Sequence, residues 1–411
     1  RGGQRYVARL VRTSLPMPPD ARETRLHADG TYLITGGLGS LGLRIAQWMV
    51  EQGARHLVLI GRRGPSANAE EILGKLRQAG AIVRVAQADV ANQEDIVAIL
   101  EQIHTLGPPL RGIIHAAGVL SDAVLLQQSR EQLTEVMAPK VKGAWNLHVL
   151  TQDLSLDFLV MFSSAASLLG SPGQGNYAAA NAFLDALAHH RQFLDQPGMS
   201  LNWGHWAEAG MAANLGERHR ARLVAQGLKP IAPEQGLYVL KRVLTQAHAQ
   251  LGVLPIDWSA FRDQLPSGIP MLLVSETVFK ERLPHESKQV SEQQHEEVLQ
   301  RLIKATASER KALLLAYIQD KVTDILGLDS SFRPAPQQSF NELGFDSLMG
   351  TQLKNWVMSE VRVDLPMREF IGRGSIAQLT ELLLDHLALS SLALSESSSS
   401  DIGEDMEEIT I

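Results

Sequence analysis

Short apolar runs alternate with amphipathic stretches from residue 31 to residue 206. Six of these runs have the composition of buried strands, some with the turn that follows: TYLITGG, HLVLIGRRG, IVRVAQADV, LRGIIHAAG, DFLVMFSS and SLNWGHW. The segments between them space their apolar residues three and four apart, which predicts helices. Strict alternation of strands and helices is typical of a parallel sheet with helices on both faces. The sequence therefore predicts an α/β domain with a doubly wound parallel Rossmann sheet, with at least six strands by Trp206.

The first thirty residues follow a different pattern. Tyr6, Ala8 and Leu10 alternate with other residues at the spacing of an edge strand, and the Pro-rich connector LPMPPDARE comes next. We interpret residues 1–30 as the end of a truncated subdomain plus a linker, and residues 31–275 as the main domain. The chain opens without a Met, so we take it to be a piece of a longer polypeptide.

Helical patterns return after a polar linker over residues 276–307. Residues 308–326 are amphipathic, a long loop follows, and DSLMGTQLKNWVMSEV and SIAQLTELLLDHL have helical spacing on either side of LPMREF. This order predicts a small all-α four-helix bundle over residues 308–390. Residues 391–411 are Ser-rich and then acidic, which predicts a flexible tail.

Composition and charge exclude several classes of partner. The 411 residues are 45% hydrophobic, which suffices for two or more folded units. The formal charge is −7, and most of it comes from acidic residues after His386, so we expect neither nucleic acid nor an anionic membrane as a partner. No apolar run is long enough to cross a bilayer, so we expect a cytoplasmic protein. The chain has no cysteine, which excludes disulfides and thiolate chemistry, and we expect no metal site.

A glycine-rich turn joins the first predicted strand to the first predicted helix. Gly37, Gly39 and Gly42 have the spacing G-x-G-x-x-G, which lets the backbone approach a pyrophosphate at the helix N-terminus. Arg62 and Arg63 stand at the end of the second strand, where they favour the 2′-phosphate of NADPH over NADH. The alternative for these two arginines is a solvated pair in a loop.

The stretch FSSAASLLGSPGQGNYAAANAFLDA combines a Ser pair, a Gly/Pro loop and a Tyr that opens an Ala-rich helix. Tyr177 and Asn181 are four residues apart, so a helix places both on one face. Ser164 lies thirteen residues before Tyr177, far enough to return to that face from a strand end. This arrangement predicts a catalytic site. The alternative is a helix N-terminus with capping hydroxyls and a half-buried tyrosine.

Seven motifs occur in order over about residues 31–258: TGGLGSLG, GRRG, ADV, HAAGVL, APKVKGAWNLH, FSSAASLLGSPGQGNYAAANAFLDALA and LNWGHW. With them the chain resembles the ketoreductase domain of modular polyketide synthases, a member of the extended short-chain dehydrogenase/reductase family. The opening RGGQRYVARLVR resembles the last strand of that family's structural subdomain, most of which is missing from this sequence. The resemblance implies NADPH as cofactor, bound by Gly36, Gly37, Gly39, Ser40, Gly42, Arg62, Arg63, Asp89, Val90 and Gly118. At the end of the third strand, Asp89 suits either a hydrogen bond to the adenine amino group or the N-cap of the next helix.

The same resemblance implies the catalytic residues. Tyr177 would donate a proton to the reduced carbonyl and Ser164 would hold the carbonyl oxygen. Ordinary short-chain dehydrogenases carry Tyr-x-x-x-Lys, whereas this chain has Asn181 at the lysine position and supplies the lysine from Lys140, with Lys142 as the local alternative. The Lys140 ammonium is expected to lower the pKa of Tyr177 toward neutrality, and Asn181 to orient Lys140 or a water.

The resemblance also extends to the substrate channel. It implies that Trp203 and Trp206 lie beside the channel and that residues 208–227 form a helical lid, although tryptophans in such positions are more often plain core residues. The residues that set the product stereochemistry would be Leu120, Ser121, Asp122, Leu169, Pro172 and Asn176. Asp122, the absence of a Trp at position 169, Pro172 and Asn176 match the group that gives D-configured alcohols, while Ser121 departs from its Leu-Asp-Asp pattern.

The motif GFDSL resembles the signature of acyl carrier proteins. It implies that a phosphopantetheinyl transferase loads phosphopantetheine onto Ser347; the alternative is an N-cap hydroxyl beside Asp346. The acidic end of the chain is either a solubilising tail or a docking peptide for the downstream synthase subunit.

These implications define two hypotheses for the function. The first is NADPH-dependent reduction of a carrier-bound β-ketoacyl thioester to a D-β-hydroxyacyl thioester, as a B-type ketoreductase working with the other domains of the same synthase. The second is a carrier and docking piece whose Rossmann domain is a non-catalytic scaffold.

Overall fold

The computed structural model of the chain describes residues 7–13, 26–171, 173–207, 223–224, 227–244, 246, 248–263, 273, 305–326, 333–345, 347–361, 363–370 and 374–397. Two compact units divide the chain: Arg9–Gln264 form one, and Leu265–Ile411 belong to the other. The first unit ends shortly before the predicted boundary at residue 275. No helix in the described part of the chain is both long and apolar enough to span a membrane.

Seven strands form one sheet in the first unit, in the spatial order β3-β2-β1-β4-β5-β6-β7. The strands are β1 Thr31–Thr35, β2 His56–Gly61, β3 Ile82–Gln87, β4 Leu110–His115, β5 Phe158–Ser164, β6 Met199–Trp203 and β7 Gln250–Val253. Every neighbouring pair is parallel. The doubly wound sheet and its six predicted strands are therefore confirmed. Strand β7 escaped prediction because QLGV is short and contains a glycine.

Helices fill the connections between the strands. They are α1 Ser40–Glu51, α2 Ala67–Gln78, α3 Gln93–Leu106, α4 Arg130–Met137, α5 Ala144–Leu150, α6 Ala166–Leu169, α7 Gly175–Phe193, α8 Pro233–Val243 and α9 Trp258–Asp263. A short 3₁₀ turn spans Leu125–Gln127, and a π-helical turn spans Ala138–Gly143 between α4 and α5. The π-helical turn interrupts the single helix predicted there, and it contains Pro139, which has no N–H for an α-helical hydrogen bond.

Apolar side chains cover both faces of the sheet. On β1, Leu33 packs into the core on one face while Tyr32 and Ile34 pack into the core on the other, and all three are 0% exposed. The ring of Tyr32 stacks on Phe158 of β5 with 5.9 Å between the centroids. Burial on both faces explains why the strands read as continuous apolar runs.

Residues 7–13 lie outside the described sheet, and Tyr6 of the predicted edge strand lies outside the described residues. Because the resemblance assigns this strand to a subdomain that is mostly missing from the sequence, the edge strand stays a prediction. Asp89 is not the N-cap of α3; that position belongs to Asn92, whose side chain accepts from Glu94 N at 3.0 Å. The helix itself begins at Gln93, one residue before the start that the sequence pattern indicated.

The second unit contains the predicted small all-α bundle. Its elements are α10 Ala307–Leu326, α11 Ser347–Glu360, a 3₁₀ turn Met367–Phe370 and α12 Ile376–Ser397, so one of the four helices is a 3₁₀ turn. The bundle core contains Leu314, Ile318, Leu353 and Leu383. Helix α12 continues past residue 390 into the segment predicted to be flexible, because SSLALS is rich in helix-forming Leu and Ala. Residues 398–411 of the predicted tail and residues 276–304 of the predicted linker lie outside the described residues.

Candidate active site

The end of β5 and the start of α7 carry the three residues predicted from the Tyr177 stretch. Ser164 is the last residue of β5, Tyr177 lies in the first turn of α7, and Asn181 lies one turn later on the same face. Tyr177 and Asn181 are buried, and Ser164 is half-buried. The Asn181 amide donates to the backbone oxygen of Tyr177 at 2.8 Å, while its Oδ1 is buried without a hydrogen-bond partner in the described structure.

Lys140 reaches the same place from the π-helical turn. Its side chain is only 3% exposed, and its Nζ donates to the backbone oxygen of Phe162 at 2.9 Å. The Nζ lies 5.5 Å from the centroid of the Tyr177 ring. Lys142, two residues further along the same turn, is exposed. The turn therefore presents Lys140 and not Lys142 to Tyr177. Single-turn π-helical segments inside helices frequently occur at functional sites.

The pKa values at this site correct one expectation. Burial raises the pKa of Tyr177 above its ordinary value, and nearby Asn181 and Ser164 offset this rise only in part. Burial also lowers the pKa of Lys140 to about 8, against the opposing charge of Asp185. The resting phenol is thus protonated, and the predicted shift of its pKa toward neutrality is wrong. Loss of water around a buried phenolate outweighs the favourable groups that approach it.

His115 is a site residue that sequence reasoning missed. It ends β4, is fully buried, and its Nδ1 lies 2.7 Å from Thr35 Oγ1 at the end of β1. Burial and the neighbouring Lys140 charge lower the pKa of His115 to about 3, so the imidazole is neutral at physiological pH. The available signal was its place at the start of the HAAGVL motif, directly after a predicted buried strand.

The predicted glycine turn has the position and the lack of side chains that let a dinucleotide approach the backbone closely. It joins β1 to α1 at the point where the strand order reverses between β1 and β4, which is where α/β sheets bind such ligands. Gly36 has a φ of +66°, and a Cβ added there would lie 2.8 Å from Ala116 O. A Cβ added at Gly42 would lie 2.3 Å from Gly36 O, so only glycine allows the helix to start this close to the strand.

The N-terminus of α1 faces this turn. Gly39 is its N-cap and Ser40 its first residue, both are exposed, and no side chain caps the helix or adds an acid to its first turn. By contrast, Ser66 and Asn92 cap α2 and α3 with their side chains. Uncapped N–H groups with a partial positive charge are the groups that hold a pyrophosphate, so the turn fits the cofactor that the glycine motif predicts.

Residues predicted to contact the rest of the cofactor lie along the same edge of the sheet. Arg62 and Arg63 are exposed immediately after β2, and neither forms an ion pair with a described residue. Asp89 follows β3, where its Oδ1 accepts from Ala91 N at 2.9 Å. Gly118 follows β4 and is half-buried.

Val90, which is also predicted to bind the cofactor, packs against the π-helical turn. Its side chain is buried, and a Cβ added at Gly143 would lie 2.7 Å from Val90 Cγ1. Its backbone oxygen accepts from Asn146 Nδ2 at 3.0 Å. Val90 thus packs the end of the π-helical turn against the cofactor edge and helps to fix Lys140.

Three of the predicted stereochemical residues, Ser121, Asp122 and Asn176, lie beside the start of α7. Asn176 is buried and its Nδ2 donates to Ser121 O at 2.8 Å, while Gln174 Nε2 donates to Asp122 Oδ2 at 2.9 Å. Leu120 is 39% exposed. Leu169 is half-buried at the end of α6, and Pro172 lies outside the described residues. The loop of residues 120–122 is therefore tied to the helix that carries Tyr177.

The two tryptophans predicted beside the channel are buried in the sheet core. Trp203 and Trp206 are 4% and 5% exposed, and their rings lie 4.9 Å apart. A Cβ added at Gly236 of α8 would lie 2.1 Å from the Trp206 ring, so α8 packs directly on it. Most of the predicted lid, residues 208–222, lies outside the described part of the chain.

The predicted attachment residue of the second unit stands at a helix start. Ser347 is the first residue of α11 and follows a turn in which Gly344 has a φ of +79°. The turn is held by Phe340 and Phe345, which are buried with ring centroids 5.0 Å apart. The backbone of Phe340 also donates to Gly374 O at 2.8 Å. The fold thus places position 347 at a loop-to-helix junction, as the sequence predicts.

Comparison with known proteins identifies both units. Residues 30–208 match the family model of the KR domain, and residues 316–383 match the model of the phosphopantetheine attachment site. The phenolphthiocerol synthesis polyketide synthase type I Pks15/1 of Mycobacterium marinum is 39% identical over 366 residues, which are 88% of this chain and 17% of that protein. Polyketide synthase GfsB of Streptomyces halstedii is 36% identical over 392 residues, 94% of this chain and 7% of that protein. The chain spans between 5% and 22% of the length of such relatives.

Solved structures support the same assignment. A structure of A-type ketoreductases from a modular polyketide synthase superposes with a TM-score of 0.61 at 38% identity, over 65% of this chain and 56% of that one. A C2-type ketoreductase from a modular polyketide synthase gives 0.58 at 31% identity, over 65% and 56%. The chain therefore contains a ketoreductase (KR) domain followed by a phosphopantetheine carrier domain. Its relatives are type I polyketide synthases, and the two domain families imply NADPH and phosphopantetheine as cofactors.

Proposed function

We propose that the α/β unit is an active reductase, which uses NADPH to convert a β-ketoacyl thioester on the carrier to a β-hydroxyacyl thioester. The observation that supports this proposal best is the buried pairing of Lys140 with Tyr177, 5.5 Å from Nζ to the ring centroid. Ser164 and the glycine turn lie at the same end of the sheet, as a hydride transfer site requires. The other domains of the synthase would supply the keto substrate.

The chain's own residues bind the carbonyl and move the proton. When bound at the glycine turn, NADPH would be the source of the hydride for the β-keto carbon. Ser164 Oγ holds the carbonyl oxygen, and Tyr177 gives its phenolic proton to the alkoxide that develops there. Because burial raises the pKa of Tyr177, the residue is present as the acid at neutral pH. Lys140, with a pKa of about 8, then stabilises the remaining phenolate and returns a proton. The unpartnered Asn181 Oδ1 is placed to hold a water in this relay.

Arg62 and Arg63 support NADPH over NADH. Both guanidinium groups are exposed directly after β2, the position at which this fold meets the ribose of its cofactor. Without a carboxylate partner among the described residues, they are free to neutralise a 2′-phosphate.

The second unit would deliver the substrate. A phosphopantetheinyl transferase loads Ser347, and the resulting arm raises the effective concentration of the β-ketoacyl group at the reductase. For the whole synthase we propose a cytoplasmic assembly in which the tail of residues 391–411 docks on the downstream subunit. The alternating acidic and apolar residues of DMEEITI support this docking role.

We also propose a D-configured, B-type product. Asn176 Nδ2 holds the loop of Leu120, Ser121 and Asp122 against α7, and this loop would guide the path of the pantetheine arm into the site. A Trp at position 169 would narrow that path, and Leu leaves it open. Similar solved ketoreductases include A-type and C2-type enzymes, so likeness of fold does not decide between the two alcohols. Chiral chromatography of the reduced thioester tests this point, and mainly L-alcohol would overturn it.

A non-catalytic scaffold is the second candidate. A relative that is 37% identical over 366 residues is described as a putative inactive synthase, which shows that this degree of similarity does not by itself secure turnover. The scaffold hypothesis predicts neither turnover nor a thermal shift when NADPH is added.

The deciding experiment follows NADPH consumption by the full chain with a diffusible β-ketoacyl thioester. We expect turnover with NADPH in preference to NADH, and loss of most of it in Tyr177→Phe because that change deletes only the acid. NADPH should still shift the melting temperature of Tyr177→Phe, since the glycine turn is intact. Near-normal turnover in this variant would contradict the assignment of Tyr177, and the absence of both turnover and thermal shift in the unmodified chain would favour the scaffold.

A further inference from the structure

A cluster of buried polar side chains lies between α7 and strands β5 and β6. We call it the Asp185 cluster, and it consists of Ser163, Ser167, Asp185, Ser200 and Asn202. All of these except Ser167 are more than nine-tenths buried. The catalytic mechanism above uses none of them, although Asp185 is a carboxylate in the core of the protein.

Three side chains of the cluster donate to Asp185. Ser167 Oγ donates to Oδ2 at 2.7 Å, and Ser200 Oγ donates to Oδ1 at 2.5 Å. Asn202 Nδ2 lies 3.0 Å from Oδ1 and 2.9 Å from Oδ2. These donors replace the water that the carboxylate loses on burial, which is the condition for keeping a charge inside a protein.

The cluster connects the Tyr177 helix to the strands of the site. Asp185 lies two turns after Tyr177 and one turn after Asn181, on the same face of α7. Ser163, next to Ser164 in β5, donates to the backbone oxygen of Asn181 at 3.3 Å. In the adjacent strand, Asn202 Nδ2 lies 3.1 Å from Ser163 Oγ. The hydrogen bonds thus fix the distance between the helix that carries Tyr177 and the strand that carries Ser164.

The charge of Asp185 also acts on the buried ammonium of Lys140. The other titratable groups around Lys140 are His115 from β4 and Tyr177 from α7, and both are neutral at physiological pH. Asp185 is the group whose charge raises the pKa of Lys140 against burial, which lowers it to about 8. No carboxylate in the described structure lies within ion-pair distance of Lys140, so Asp185 acts on it through the protein interior.

We propose that Asp185 is a positioning residue of the reductase site, which seats the Tyr177 helix on β5 and β6 and provides the negative charge that the buried Lys140 ammonium needs. The inference rests on the proposed function, in which Lys140 acts in its protonated form. Asp185 itself does not touch the substrate and acts through Tyr177 and Lys140.

The first test is the pH profile of thioester reduction by the full chain at saturating NADPH. Asp185→Asn keeps the shape of the side chain and removes its charge, so the loss of activity with rising pH should begin at a lower pH, by about 0.5 unit or more. Ser200→Ala is the matched control, because it removes one hydrogen bond to the carboxylate and leaves the charge in place. We expect Ser200→Ala to lower the rate at every pH without moving the midpoint. An unmoved midpoint in Asp185→Asn, or an equal shift in Ser200→Ala, would overturn the role of the charge.

The second test needs no activity. It is a double-mutant cycle on melting temperature with Asp185→Asn, Lys140→Met and the combination of both. Asp185→Asn should lower the melting temperature of the unmodified chain more than that of Lys140→Met. In the Lys140→Met background there is no buried ammonium that would lose its opposite charge. If Asp185→Asn does not fold alone, folding of the double variant supports the proposal. Equal effects of Asp185→Asn in both backgrounds, or failure of the double variant to fold when Lys140→Met folds, would overturn it.

The two tests separate this inference from the proposed function. If the unmodified chain reduces no thioester, the proposed function fails, and the cycle still decides whether Asp185 and Lys140 are coupled. If the unmodified chain is active and the cycle is additive, the inference fails and the reductase assignment stands.

Discussion

Lys140 and Lys142 show how much a single residue's setting matters. They are two positions apart, yet one is buried against the Tyr177 ring and the other is exposed. Residues two positions apart point to nearly opposite sides of a helical turn, so Lys140 faces the protein interior while Lys142 faces solvent. A buried ammonium weakens the fold when it is charged, so the site keeps Lys140 at the expense of stability.

That loss of stability gives a prediction for Lys140→Met. Burial lowers the pKa of Lys140 from about 10.5 to about 8, so the folded state binds fewer protons than the unfolded state between these values, and the stability of the unmodified chain rises with pH across that window. We compare the free energy of unfolding of Lys140→Met with that of the unmodified chain. The variant's value minus the unmodified chain's value should therefore fall by about 2 kcal/mol between pH 7 and pH 9.5.

Denaturant unfolding of the reductase unit at the two pH values measures this difference. Lys142→Met is the matched control, and its stability relative to the unmodified chain should not change with pH because its side chain is exposed. If the difference in free energy of unfolding between Lys140→Met and the unmodified chain is also independent of pH, the claim that Lys140 is a buried ammonium is contradicted.

At the residue scale, the sequence predicted where the proposed catalytic residues lie but not their charge states. Ser164, Tyr177, Asn181 and Lys140 all lie where their motifs indicated. The pKa of Tyr177 was predicted in the wrong direction, because a motif shows which groups are neighbours and not how much water burial removes.

At the scale of elements, the turn between β1 and α1 requires glycine because a side chain there would collide with backbone atoms. A Cβ at Gly42 would lie 2.3 Å from Gly36 O and 2.7 Å from Gly37 Cα, both backbone atoms that cannot rotate away. A Cβ at Gly74 of α2, by contrast, meets nothing within 4 Å. Both glycines lie in helices, but Gly42 is surrounded by backbone atoms and Gly74 by open space.

We therefore expect opposite results from two glycine-to-alanine changes. Gly42→Ala should destabilise the reductase unit by about 2–3 kcal/mol and abolish the thermal shift with NADPH, because α1 must move away from β1. Gly74→Ala should stabilise it by up to about 1 kcal/mol, since alanine favours the helix and fits without contact. Thermal unfolding with and without NADPH measures both, and an unchanged NADPH shift in Gly42→Ala would contradict the placement of the cofactor at this turn.

The same scale shows which elements a sequence pattern can predict. Six strands and their helices were predicted because burial on both faces leaves long apolar runs. Strand β7 and the π-helical turn were missed because neither has a periodic signature of its own.

At the scale of the whole molecule, the proposed reductase site and the carrier bundle belong to units with separate hydrophobic cores. The α/β unit contains the proposed reductase site, and the helical bundle has its own core around Phe340, Leu353 and Leu383. Independent cores allow one unit to change without unfolding the other, so the loss of loading and the loss of reduction should be separable.

Ser347→Ala and Tyr177→Phe form a reciprocal pair that tests this separation. Ser347→Ala should gain no phosphopantetheine mass after incubation with a transferase and coenzyme A, because the attacking hydroxyl is gone, yet it should still bind NADPH. Tyr177→Phe should gain the full mass increment and fail to reduce either a tethered or a diffusible β-ketoacyl thioester. When the unmodified chain is loaded, its tethered substrate should be reduced faster than the same concentration of diffusible thioester, since the arm raises the local concentration. Mass spectrometry of the carrier follows loading and reduction together. A mass increment that persists in Ser347→Ala would place the attachment site elsewhere, and equal rates for tethered and diffusible substrate would show that the carrier does not serve this reductase.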